Sequence, residues 1–128
     1  NMAKFIPDAR LDGMLDAAAP SIGGGATIHI TAGQPTGIAG GTIQGATELA
    51  SATMTGTYTK SDRAGGGRQN TVPAQSDLNI TADGNADHVC LTNGSDTLYQ
   101  VTTCTPQALT SGGTVSTSTY NHELADPL

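Results

Sequence analysis

The chain has 128 residues, a formal net charge of −6 and a sequence pI near 4.6, with 12% charged residues, three Tyr, one Phe and no Trp. That length suits one domain with one core. The net charge and the five scattered basic residues argue against nucleic acid as a partner, because phosphate binding needs clustered Lys and Arg. No apolar run approaches the roughly 20 residues that span a bilayer, so no membrane partner is expected.

Met2-Ala3-Lys4 reads as the natural start, without the basic segment and apolar core of a secretory signal, so synthesis in a cytoplasm is expected. Gly, Ala and Thr make up about two-fifths of the chain. Such a composition gives a thin core of Val, Ile, Leu and Ala and strands with polar outer faces. Association, which buries further apolar area at roughly 25 cal/mol per Å², supplements a core of this kind, and a homo-oligomer is expected.

In chain order, residues 2–20 read as the one helix. Ile6, Leu11, Met14, Leu15 and Ala18 share a face, Asp8 is placed to cap the start, and Pro20 ends the pattern. Asp8, Asp12 and Asp16 line the other side as a solvated or partner-facing stripe. The glycine hinge Ser21 to Gly25 makes 1–20 a helical arm on a β domain of 21–128, and the apolar face of the arm is the expected assembly interface.

The next strand is Ala26 to Thr31, with Ile28 and Ile30 together, and a turn follows over Ala32 to Gly37. From Ile38 to Thr59 strands are expected more than helix, although Ala46 to Ala52 could form a helical turn or two. Lys60 to Asn70 has no core residue and reads as an exposed loop. Short strands resume over Thr71 to Ala74 and Asp77 to Ala82, where Leu78 and Ile80 share a face. The chain ends with a Thr/Ser strand from Thr114 to Thr119 and a last segment from Tyr120 to Leu124. About seven to eight short antiparallel strands plus one helix predict a mainly β fold, a small sandwich or open barrel.

Asn93-Gly94 between two strand-like runs is a hairpin signal. Placing Val89, Leu91, Tyr99 and Val101 on one face pairs Leu91 with Tyr99 and Val89 with Val101, leaving His88, Cys90, Gln100 and Thr102 on the other. Cys104 then lies about 13 Å along the partner strand from Cys90's level, beyond the roughly 7 Å that a disulfide tolerates, so both thiols are expected free.

No catalytic or cofactor motif emerges. The glycine runs Gly23 to Gly25 and Gly65 to Gly67 lack the Gly-Lys-Ser/Thr ending of a phosphate loop. Asp83 to Asp87 imitates the start of a calcium loop, but His88 stands where its glycine belongs and Gly94 where its closing Glu belongs. His29, His88 and His122 lack zinc spacing, and no Ser sits in a nucleophile elbow. A non-enzymatic protein without metal or cofactor is expected.

The opening MAKFIPDARLDGMLDAAA and the ending from Ile80 to Pro127 together resemble a group of small, mostly uncharacterised tailed-bacteriophage virion structural proteins. The motifs that carry the resemblance are Asp87-His88-Val89, Leu98-Tyr99-Gln100-Val101 and Leu109-Thr110-Ser111-Gly112-Gly113-Thr114-Val115. Thr117 to Asn121 departs from the family's more apolar stretch. The resemblance implies a virion component made in the host cytoplasm. Its first implication is a capsid decoration protein on the head exterior, trimeric and bound to the major capsid protein or other virion proteins; the second is a small tail or tail-fibre piece that contacts the host surface. A hydrolase acting on host sugar would need paired carboxylates flanking a groove, and the sequence nominates none.

Overall fold

A computed structural model describes residues 6–125. Among them the chain forms helix α1 (Asp8–Ala17) and eleven strands: β1 (Thr27–Ala32), β2 (Gly37–Ala39), β3 (Thr42–Gln44), β4 (Thr47–Thr53), β5 (Thr59–Asp62), β6 (Gly67–Val72), β7 (Gln75–Asn79), β8 (Gly84–Thr92), β9 (Leu98–Leu109), β10 (Thr114–Thr117) and β11 (Tyr120–Ala125). The fold is mainly β, sandwich-like and not a closed barrel. One sheet has the order β4-β1-β8-β9; β11-β6-β5, β10-β7 and β2-β3 form three smaller ones, all antiparallel.

Alternation along the strands divides the apolar residues between two layers. Ile28 and Ile30 of β1, Val89 and Leu91 of β8 and Ala50 of β4 meet Val72, Leu78, Ile80 and Leu109 in the main core. Cys90 and Val101 point to the sheet's opposite face, where Ile38 and Ile43 of the β2–β3 hairpin cover them. The expected pairs Ile28/Ile30 and Leu78/Ile80 are thus buried as read.

Two strand expectations are corrected. The segment 60–70 is not an exposed loop: Thr59–Asp62 and Gly67–Val72 pair as a hairpin, and Asn70 is fully buried. Backbone ladders need no apolar side chains, so a polar alternating run can form strands without showing it in hydropathy. The strand expected over Ile38 to Thr59 forms at Thr47–Thr53, and the helical alternative over Ala46 to Ala52 does not. The hairpin of β8 and β9 is shifted by one residue, pairing Leu91 with Gln100, Cys90 with Val101 and Val89 with Thr102. A one-residue slip exchanges faces, so Val101 joins Cys90 while Gln100 and Thr102 join Leu91.

The turn chemistry accounts for that slip. Asn93 Oδ1 accepts the backbone N–H groups of Ser95, Asp96 and Thr97, each at 3.0 Å, and Asn93 N–H donates to Thr97 O at 3.1 Å. The loop is therefore longer than a two-residue turn, and bulges near Thr92 and Asp87 readjust the ladder. Gly25 packs against this tip with φ +103, where an added Cβ would lie 2.9 Å from Asn93 O. Only glycine fits there.

The helix is shorter than expected, and its residues 2–5 lie outside the described residues. Pro7 occupies the N-cap position with no side-chain cap, and Asp8 is the first helical residue rather than the cap. Nor does the segment stand off the β domain as a free arm. Strand β6 directs Arg68, Asn70 and Val72 to one face, with Val72 in the core and Arg68 bonded to Asp12 of α1, so the helix covers one end of the sandwich. Leu11 and Leu15 are buried there. Gln100 Nε2 donates to Ala18 O at 2.9 Å and Tyr58 Oη to Pro20 O at 2.7 Å, fixing the segment that follows.

Candidate functional site

The five residues read as an assembly face separate in space. Leu11 and Leu15 turn into their own domain, Ile6 and Ala18 are half-buried, and Met14 is 52% exposed, the only exposed large hydrophobic among the described residues. The acidic stripe divides too. Asp12 accepts from Arg68 Nε at 2.9 Å and Asp16 pairs with Lys60, while Asp8 is exposed. Surface pairs such as these contribute about 0–1 kcal/mol each, so burial of the two leucines dominates the docking of the helix.

The longest continuous uncharged stretch lies on the other side of the molecule. From Leu98 to Asn121 there is no Asp, Glu, Lys, Arg or His. This stretch supplies β9, an edge strand bonded only to β8 among the described residues, and β10. Between them opens a cleft of about 350 Å³, floored by Ile30, Ala86, Val89 and Val115 and rimmed by hydroxyls and Cys104. Burial, then the charge of Asp87, raises the Cys104 thiol above its ordinary range, and burial pushes Cys90 up to about 12. Both cysteines are free. Unreduced, denatured protein should therefore titrate two thiols, while the native protein should react only at Cys104, slowly; no reactive group after denaturation would mean a Cys90–Cys104 disulfide and a different register.

A second polar cluster was not legible in the sequence. On the face covered by β2–β3, His29 is 3% exposed; its Nδ1 donates to Glu48 and its Nε2 lies 2.8 Å from Thr92 Oγ1, which also accepts Gly94 N–H at 2.9 Å. With Nδ1 as the donor, a neutral ring takes the Thr92 proton at Nε2. The order Thr, His, Glu is that of an activated nucleophile. Thr92, however, is completely buried, so its hydroxyl cannot meet a substrate in this fold. The cluster joins β1, β4 and β8 and is structural.

His88 and His122 do not join it. His88 Nδ1 lies 2.8 Å from Asp87 Oδ1, which also accepts Gly33 N–H at 2.8 Å. His122 stands opposite Asn70 in the β6–β11 ladder, and the amide of Asn70 and Nδ1 of His122 are buried with no hydrogen-bond partner among the described residues. The calcium-like loop is used structurally as well, with Asp83 Oδ1 accepting Ser111 N–H at 2.7 Å. No group of three or more His, Cys, Asp or Glu among the described residues is arranged to hold a metal ion, and no helix is long and apolar enough to cross a membrane.

Protein-family models, curated proteins and solved structures give no match to this chain. The functional reading therefore rests on its own surface and chemistry.

Hydrogen bonds set the acid behaviour. Arg68 holds the Asp12 carboxyl below the usual carboxylate range, His88 and then the Gly33 amide do the same for Asp87, and Asn93 and then Thr97 for Asp96. Each carboxyl binds its proton more weakly folded than unfolded. The stabilisation they give is thus present above the unfolded carboxylate pKa and lost as pH falls through the lowered folded values. Thermal melts should move down on acidification through that window, and Asp12→Asn should flatten the slope.

Proposed function

We propose that the protein is a non-enzymatic structural component of a tailed-bacteriophage virion, a decoration protein on the head exterior that self-associates and binds the major capsid protein. The observation that carries the assembly role is the uncharged side formed by β9 and β10, with a strand edge unpaired among the described residues and an open cleft, in an otherwise acidic chain. Proteins that remain alone usually blunt such an edge with charge; here the charges lie elsewhere. The chemistry-bearing cluster His29, Glu48 and Thr92 is occupied in joining strands, which leaves contact surface as the part of the molecule available for function. The resemblance of both chain ends to phage virion proteins supplies the setting.

Purified protein added to particles lacking it tests this reading. Binding to heads at a copy number comparable with that of the major capsid protein is expected, whereas binding at the tail tip in few copies would favour the tail reading. No binding to either would overturn the virion assignment.

A further inference from the structure

Two buried polar groups share the strand face on which helix α1 sits. Asn70 is completely buried, and neither its Nδ2 nor its Oδ1 has a hydrogen-bond partner among the described residues; the same holds for the buried Nδ1 of His122. The two residues are direct partners in the β6–β11 ladder, so their side chains leave the sheet on one face with Cβ atoms about 5 Å apart. Arg68 and Lys60 lie on the same face, and each is tied to α1 by an ion pair, Arg68 to Asp12 and Lys60 to Asp16. A buried amide without a partner is costly, and folded proteins rarely keep one.

We propose that an enclosed water molecule joins the Asn70 amide to His122 Nδ1, which makes the seat of α1 a hydration site. The donor set selects water. Asn70 presents a donor and an acceptor side by side, and an imidazole Nδ1 is one or the other according to its tautomer, so the ligand must both donate and accept. Buried waters typically bond about three otherwise unpartnered polar atoms, and three such atoms lie on this one face. An anion would leave Oδ1 unmet, and a cation would meet Arg68 and Lys60. Those two side chains are themselves balanced by Asp12, Asp62 and Asp16, so no local charge calls for a counterion. His122 also lines an open groove with Gln100 and Tyr120, which brings bulk water to the same ring. The site goes beyond the assembly reading and accounts for how a polar strand face seats a helix: water satisfies the amide while Leu11 and Leu15 supply the apolar contact.

Water-to-protein NMR cross-relaxation on the full chain is the test. A slowly exchanging water should give cross-peaks with the Asn70 side-chain amide protons in the wild-type protein. In urea titrations Asn70→Leu, a substitution of similar volume, should lower the midpoint, because it leaves His122 Nδ1 and the water with one partner fewer. His122→Phe should lower it too, and the double variant should lose less than the two single losses summed, since both act on one water. Absence of the cross-peaks in wild-type protein overturns the proposal on its own, whether or not the variants fold. A scalar coupling between Asn70 Nδ2–H and His122 Nδ1 would overturn it by reporting a direct bond. So would a midpoint raised by Asn70→Leu, the mark of an amide with no partner at all, or a melting temperature that climbs with chloride at constant ionic strength, the mark of an anion in the place of water.

Discussion

Leu15→Ala is expected to lower unfolding free energy by about 2–5 kcal/mol, the usual cost of removing a fully buried leucine and leaving a partly collapsed cavity. Leu15 is 0% exposed and Leu11 1%, so Leu11→Ala should cost a similar amount. Met14→Ala on the same helix should change monomer stability by no more than about 0.5 kcal/mol. The contrast follows from the helix itself: it has ten residues, a central glycine and no side-chain cap, and so has little stability of its own. Starting the chain at Ser21 removes both leucines and also Asp12 and Asp16, which pair with Arg68 and Lys60, leaving Arg68 only Asp62. Loss of cooperative melting is expected. Urea denaturation of the single variants provides the check; a Leu15→Ala midpoint equal to wild type would show that the helix can leave the sandwich freely.

The second large effect is expected at His29. His29→Ala removes a buried ring and its two hydrogen bonds, one to Glu48 on β4 and one to Thr92 on β8, at a cost of about 2–4 kcal/mol. Glu48 has a side chain 34% exposed, so solvent replaces part of what is lost in Glu48→Gln, and about 1 kcal/mol is expected there. Thr92→Val should fall between them because it also frees Gly94 N–H. If His29→Ala and Glu48→Gln have equal, small effects in denaturant titrations, the cluster does not bind the three strands together.

Particular residues show what was legible in the sequence. Ile28/Ile30, Leu78/Ile80 and Val89/Leu91 alternate strongly enough to fix their faces, and Leu11/Leu15 lie at helical spacing; the β class follows from them. The polar hairpin of β5 and β6 offers no such contrast between its faces. The register of β8 and β9 depends on the side chain of Asn93 gathering three backbone amides, a local geometry that the words Asn-Gly do not specify. His29 reaches partners 19 and 63 residues away, so no spacing rule could assemble the cluster. Met14 within an apolar face and the uncharged run through β9 and β10 were present as separate signals. Only the fold turned Leu11 and Leu15 inward while leaving Met14 out.

The clamp at the hairpin tip also bears on how this protein ages. In a flexible chain an Asn-Gly pair deamidates readily, because the glycine nitrogen attacks the asparagine side-chain carbon, expels ammonia and closes a succinimide ring that water then opens to a carboxylate. Here Gly94 N–H is engaged by Thr92 Oγ1, Asn93 Oδ1 accepts three amides, and Asn93 Nδ2 donates to Asp96. Ring closure requires all of these to open together. The acidic form that deamidation leaves on ion exchange therefore records the time the tip has spent unclamped, giving each molecule an internal clock of local unfolding.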